Sequence, residues 1–164
     1  MKTSSIDYYF SVLEVNNSPL VIPTIIGAYF AGTMAPLQML ENSGTIKSRI
    51  INKNDCSKGS LPLYVASSAN YPFFNPFLVE DRYYLDGGIL NNVPYECLLE
   101  KGYDKLIVIR TKNSDLQGKI PQNDNILVIT PSENLGSSLA FTHDNIMNFI
   151  KLGYMDTMAQ IKNK

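Results

Sequence analysis

Cysteine is scarce in this chain of 164 residues, with only Cys56 and Cys97, and histidine is scarcer still, with His143 alone. The two cysteines lie far apart and belong to no CxxC or Cys/His cluster, so no metal site and no disulfide framework is expected. A reducing, cytoplasmic setting is the simple expectation. An excess of positive charge is missing too: Lys and Arg total 14 against 15 Asp and Glu, a net charge of -1. No field therefore draws in nucleic acid or a strongly acidic partner. No N-terminal stretch joins a basic start, an apolar core and a small-residue cleavage site, so no secretory leader is expected. Two glycine motifs are also lacking. Neither GxSxG nor GxGxxG occurs, and the stretches NSGTIKS, KGSLP and LGSSLA carry serine and glycine at other spacings. The chain thus offers no nucleophile elbow and no glycine-rich cofactor turn.

What is present is apolar and interleaved. A hydrophobic content of 45% suffices for a packed core in one domain. Residues 15–40 carry no charge at all, a length that could span a bilayer. Pro19, Pro23, Gly27, Gly32 and Pro36 punctuate the run, and its flanks lack a strong Lys/Arg asymmetry. A buried helix and loop, or an apolar wall beside a lipid site, fits those breakers better than a spanning helix.

Strands are expected in DYYFSVLEV, in SRIINK, in a hairpin PFLVEDRYYLD turning at Glu80 and Asp81, and in the continuously apolar runs KLIVIR and NILVIT. A short helix should start near Leu61 and end before Pro72. A second, of about ten residues, should run over 92–101, with Asn91 or Asn92 as N-cap, Pro94 in the first turn and Gly102 past its end. The last helix carries Ile146, Phe149, Ile150, Gly153, Tyr154, Thr157, Met158 and Ile161 at helical spacing and should pack that face on a sheet. Alternation of strand and helix predicts an α/β layer. In it the strand ending at Leu85 and the strand Leu106–Ile109 would share one sheet, joined by a right-handed crossover through the helix over 92–101.

Asp86, followed by Gly87 and Gly88, ends a strand. Two glycines there permit positive φ and close approach of a backbone or ligand, which places a carboxylate on a sheet rim where a general base could work. An isolated Asp-Gly-Gly reads more readily as a turn aspartate capping its own backbone than as a base.

The surroundings extend the pattern. A small-residue helix holds Ala66 to Ala69, an aromatic-proline stretch runs from Tyr71 to Pro76, and the hairpin follows. Then come Tyr-Leu-Asp-Gly-Gly, Asn92-Val93-Pro94, a helix and a buried strand ending at Ile109, with later landmarks at Pro131, Leu135 and Leu152. In order and spacing this resembles the C-terminal half of patatin-like phospholipases, over about Ile46 to the C-terminus. The resemblance implies a partial three-layer α/β fold with a mostly parallel central sheet and flanking helices. It would occupy 46–164 as the C-terminal part of a patatin-like domain, after an N-terminal segment 1–45 whose role stays open. It further implies a Ser-Asp dyad acting on lipid or phospholipid esters without cofactor or metal, with Asp86 as proton acceptor and Gly87 and Gly88 forming its turn. The nucleophile and oxyanion loop would come from an N-terminal half supplied in cis or as a separate chain, and the assembled enzyme would touch membranes peripherally. Ser67 and Ser68, small residues where a helix packs, and His143, beside Thr142 and Asp144 at a helix start, are weaker candidates. Two competing readings stay open: an inactive α/β module that binds lipid or protein, and a small membrane-anchored protein.

Overall fold

A computed structural model describes residues 6–16, 21–111, 120–136 and 142–162. The chain divides into two units, Met1–Pro94 and Tyr95–Lys164.

The first unit is organised around strand β1 (Tyr9–Val15). Strand alternation sends Leu13 and Val15 to one face and Val12 and Glu14 to the other, and all four are buried. On one side β1 pairs antiparallel with β2 (Ile46–Asn52), from Tyr9↔Asn52 to Val15↔Ile46. On the other it pairs antiparallel with β4 (Arg82–Asp86), from Val12↔Asp86 to Val15↔Tyr83. Strand β3 (Phe77–Val79) completes the order β2-β1-β4-β3. One face is covered by α1 (Ile22–Ala31) and α2 (Ala35–Asn42), whose Ile25, Ala28 and Leu37 pack with Leu13, Val15, Ile46, Leu85 and Ile89. Against the other, Tyr64 of α3 (Leu61–Ser67) packs with Val12, Val79 and Tyr84.

The central sheet is not the mostly parallel one expected from the sequence. The four-stranded sheet is antiparallel throughout, and the only parallel pairing among the described residues joins β5 (Leu106–Ile109) to β6 (Ile126–Ile129) in a separate two-stranded sheet. Between β1 and β2 lie two helices, α1 and α2, which turn the chain so that β2 enters in the opposite sense; β3 and β4 are antiparallel because a two-residue hairpin joins them. The expected crossover between β4 and β5 fails for a second reason: β4 is hydrogen-bonded to β1 on one edge and β3 on the other. No edge of β4 remains for β5, which lies in a separate sheet.

The uncharged run 15–40 supplies the last residue of β1, all of α1 and most of α2. Pro23 opens α1, and Gly32, at φ +61°, closes it in the left-handed conformation, while Pro36 opens α2. Cut this way, the run yields helices of 10 and 8 residues. Among the described residues, no helix is long and apolar enough to cross a membrane.

The hairpin turns as expected at Glu80 and Asp81, and both residues have positive φ, +50° and +64°. With Val79 paired to Arg82, this is the two-residue primed turn that matches strand twist and ordinarily selects glycine or asparagine. Glu80 is held by its carboxylate, which accepts from Ser57 Oγ at 2.6 Å and Tyr64 Oη at 3.2 Å. Asp81 has no such anchor among the described residues. Asp81→Gly is therefore expected to stabilise the chain by ~1 kcal/mol by relieving left-handed strain, read as a rise in urea midpoint; a fall would show that the side chain contributes more than its backbone costs.

Glu14 is a buried carboxylate in the middle of the sheet, 2% exposed. It accepts from Arg49 Nε of β2 at 3.0 Å and Arg82 of β4 at 2.5 Å, with Tyr84 Oη at 3.4 Å. Burial alone would raise its pKa, but the hydrogen bonds and charges of Arg49 and Arg82 more than offset that and hold it below the ordinary 4.5. A depressed carboxylate contributes stability above its unfolded pKa and loses it as pH falls through the folded value. Glu14→Gln should flatten the acid-side fall in urea midpoint expected of the parent below about pH 4.5; an unchanged acid limb would assign that fall to other groups.

In the second unit, α4 (Tyr95–Glu100) has six residues where about ten were expected. Gly102, at φ +89°, does follow its end. The runs KLIVIR and NILVIT form β5 and β6 in parallel register, Leu106↔Ile126 to Ile109↔Ile129. Strands covered on both faces were expected, yet Ile107 and Ile109 are exposed. Helix α5 (His143–Lys162) is held to the residues after β6 by polar contacts. Gln160 pairs with the backbone N–H and C=O of Thr130 at 3.1 and 2.8 Å, and buried Asp156 accepts from the Ser132 N–H at 2.9 Å. Ile146, Ile150, Tyr154, Met158 and Ile161 of the expected packing stripe are exposed. Hydrogen bonding, not the apolar stripe, orients this helix.

Candidate functional site

Asp86 is the last residue of β4, where the sheet gives way to a single 3₁₀ turn over Gly87–Ile89. Its backbone is held from both sides. Val12 of β1 is its register partner, and its N–H donates to the Asn70 carbonyl at 3.1 Å. Buried Asn70 is itself fixed by a bond from its Nδ2 to the Asn75 carbonyl, 3.0 Å. The carboxylate Oδ1 accepts from the Gly88 N–H at 2.8 Å, so Asp86 does cap its own turn. Capping leaves the other oxygen, Oδ2, for a second partner, and the side chain is half-buried.

Burial pushes the Asp86 carboxyl above its ordinary 3.8, with the Gly88 N–H pulling partly the other way. No Lys or Arg pairs with it among the described residues. A carboxylate that is desolvated, fixed in direction and free of a cation retains basicity, which is what a proton acceptor requires.

The two glycines differ in kind. Neither adopts the positive φ that the sequence suggested. A Cβ at Gly87 would stand 2.4 Å from the Ser11 carbonyl carbon and 2.6 Å from the Val12 nitrogen, so glycine is required there for the turn to lie against β1. At Gly88 the nearest atoms are side-chain tips, Asp86 Oδ1 at 3.1 Å and Asn92 Oδ1 at 3.2 Å. Asn92, expected as a helix cap, thus lies beside the Asp86 turn. Beneath Gly87, the buried Ser11 Oγ has no hydrogen-bond partner among the described residues.

The site also includes residues that the sequence reading did not select. Tyr29 of α1 and Tyr71 share a hydroxyl–hydroxyl bond of 2.5 Å. Burial, then Tyr71, then the negative charge of Asp86 push the Tyr29 phenol up to about 12. Tyr71 belongs to the aromatic-proline stretch already noted. Tyr29 lies in the uncharged run and carried no motif, so only the packing of α1 on the sheet could reveal it.

The other candidates are committed elsewhere. Ser67 is fully buried and its Oγ donates to the Leu63 carbonyl at 2.7 Å; Ser68 Oγ donates to the Val65 carbonyl at 2.8 Å. Both hydroxyls bond back along their own helix. His143 is 87% exposed, with Nδ1 3.6 Å from the equally exposed Asp144. Cys56 and Cys97 are free thiols, and no group of metal-ligating side chains occurs among the described residues. Of the LGSSLA stretch, residues 137–140 lie outside those described.

Comparison with known proteins finds no matching family model, no matching curated protein and no matching solved structure.

Proposed function

We propose that this chain carries the proton-accepting part of a patatin-like acyl-ester hydrolase, with Asp86 as the base. The observation that supports it most is the state of Asp86: fixed at a strand end, half-buried, unpaired with any Lys or Arg among the described residues, and raised in pKa. In such a dyad the carboxylate takes the proton of a serine hydroxyl as that oxygen attacks the ester carbonyl. An acyl-enzyme forms, which water then hydrolyses, and backbone N–H groups stabilise the oxyanion. The serine and those donors belong to a GxSxG elbow and glycine-rich loop absent from these 164 residues, supplied in cis or by a second chain.

The test is complementation. The chain alone should hydrolyse p-nitrophenyl esters no faster than a control protein, and a patatin-like N-terminal half bearing GxSxG, fused or added in trans, should confer turnover. Turnover by the chain alone that disappears in Ser67→Ala or Ser68→Ala would overturn the proposal. A second reading, an inactive module that binds lipid or protein, is favoured by the Asp86 cap on Gly88 and predicts no turnover in either arrangement.

A further inference from the structure

The first unit holds the longest stretches of the chain without charge: residues 15–40 and 59–79 contain no Lys, Arg, Asp or Glu. Distant in sequence, they meet through aromatic rings. Tyr29 stands edge-on to Tyr71 with centroids 5.3 Å apart, Phe30 lies 5.2 Å from Phe73, Tyr71 lies 4.9 Å from Phe73, and Phe74 stands edge-on to Phe73 at 6.2 Å. Phe30, Phe73 and Phe74 are 65%, 49% and 64% exposed. The cluster adjoins the candidate site through the backbone, because the Asp86 N–H bonds the carbonyl of Asn70, the residue before Tyr71.

Exposed phenylalanines gathered in one cluster are unusual on a surface facing only water. The chemistry of this one narrows what would cover it. With no charge in either segment, nothing in them matches an acidic or basic partner, and the segments themselves bring no ion that must be stripped of water when the rings are covered. Phenylalanine rings in contact with tyrosines that carry hydroxyls suit the boundary between headgroups and acyl chains, where aromatic residues with polar tips concentrate. Buried Pro72 stiffens the segment that presents Phe73 and Phe74, so little ordering is needed on docking. From this convergence we infer that Phe30, Phe73 and Phe74 form a neutral anchor that seats the Asp86 end of the sheet on a zwitterionic lipid surface. This deepens the acyl-ester reading, on which its biological sense rests: an ester in that surface would be delivered beside Asp86.

The chain contains no tryptophan, so Phe74→Trp gives a reporter with no background. The probe is a vesicle of ether-linked phosphatidylcholine, some of it brominated in the chains; with no ester to cleave, binding is read independently of hydrolysis. The expected result is a blue shift and quenching of Trp emission, insensitive to added salt. Adding Phe30→Asp and Phe73→Asp should weaken partitioning about tenfold or more. Tyr8→Trp, beside Lys53, should stay unquenched. Three results would overturn the inference: no response to these vesicles, binding only to anionic vesicles that salt reverses, or equal quenching at both reporters. A blue shift without lipid that grows with protein concentration would also overturn it, assigning the patch to a second copy of the chain. If circular dichroism shows the aspartate variants misfolded, the two single-tryptophan proteins decide alone.

Discussion

Gly87→Ala is expected to cost about 3 kcal/mol or more of stability, at the upper end of what overpacking imposes. The added methyl would meet backbone, with the Ser11 carbonyl carbon at 2.4 Å and the Val12 nitrogen at 2.6 Å, besides Ser11 Oγ at 2.2 Å. A flexible side chain could swing away; the middle of β1 cannot, because it is hydrogen-bonded to β2 on one side and β4 on the other. Relief requires Asp86 and its turn to lift from the sheet. Gly88→Ala is the control. Its methyl would meet only the side-chain oxygens of Asp86 and Asn92, at 3.1 and 3.2 Å, which can yield by a few tenths of an ångström. Urea denaturation should separate the two variants clearly, and equal midpoints would show that the turn is free to move.

Asp86→Asn is expected to raise stability at neutral pH while removing activity from the complemented enzyme. Asparagine keeps the shape, and its Oδ1 can still accept from the Gly88 N–H. What it removes is a negative charge held partly out of water. The folded pKa of Asp86 is raised above its ordinary 3.8, so the fold favours the protonated form. The penalty is absent below the unfolded pKa, grows as pH rises through the window up to the folded pKa, and is complete above it. The variant should therefore exceed the parent in urea midpoint at neutral pH and converge with it in acid. A constant difference across pH would trace the effect to packing. In the fused or complemented enzyme the same change should lower the rate by on the order of a hundredfold or more, because an amide cannot take the serine proton. Retention of rate with the stability gain intact would leave Asp86 a turn cap only.

Much of the local structure was legible. The hairpin, the strands around Tyr9–Val15 and Ile46–Asn52, the helix at Leu61 and the parallel pair of apolar strands all follow from runs of one periodicity bounded by proline, glycine or turn residues. These are short-range effects, decided within a few residues. Helix α5 shows the limit. Its apolar spacing correctly indicated a helix, but which face packs was settled by Gln160 and Asp156 reaching backbone groups of Thr130 and Ser132, which no periodicity encodes.

At the candidate site, Asp86 and its glycines were legible as a motif, and their opposite roles were not. The sequence alone determined that this chain has a carboxylate at a strand end, no GxSxG to partner it and two long stretches without charge, because those are properties of residues and their order. The tertiary structure decided the rest: that the four-stranded sheet is antiparallel, because β1 pairs in that sense with both β2 and β4; that Gly87 must be glycine, because β1 lies beneath it; and that Tyr29 meets Tyr71. Each depends on which surfaces the chain closes against one another, and residues 42 apart leave no trace of their contact in the sequence until the sheet brings them together.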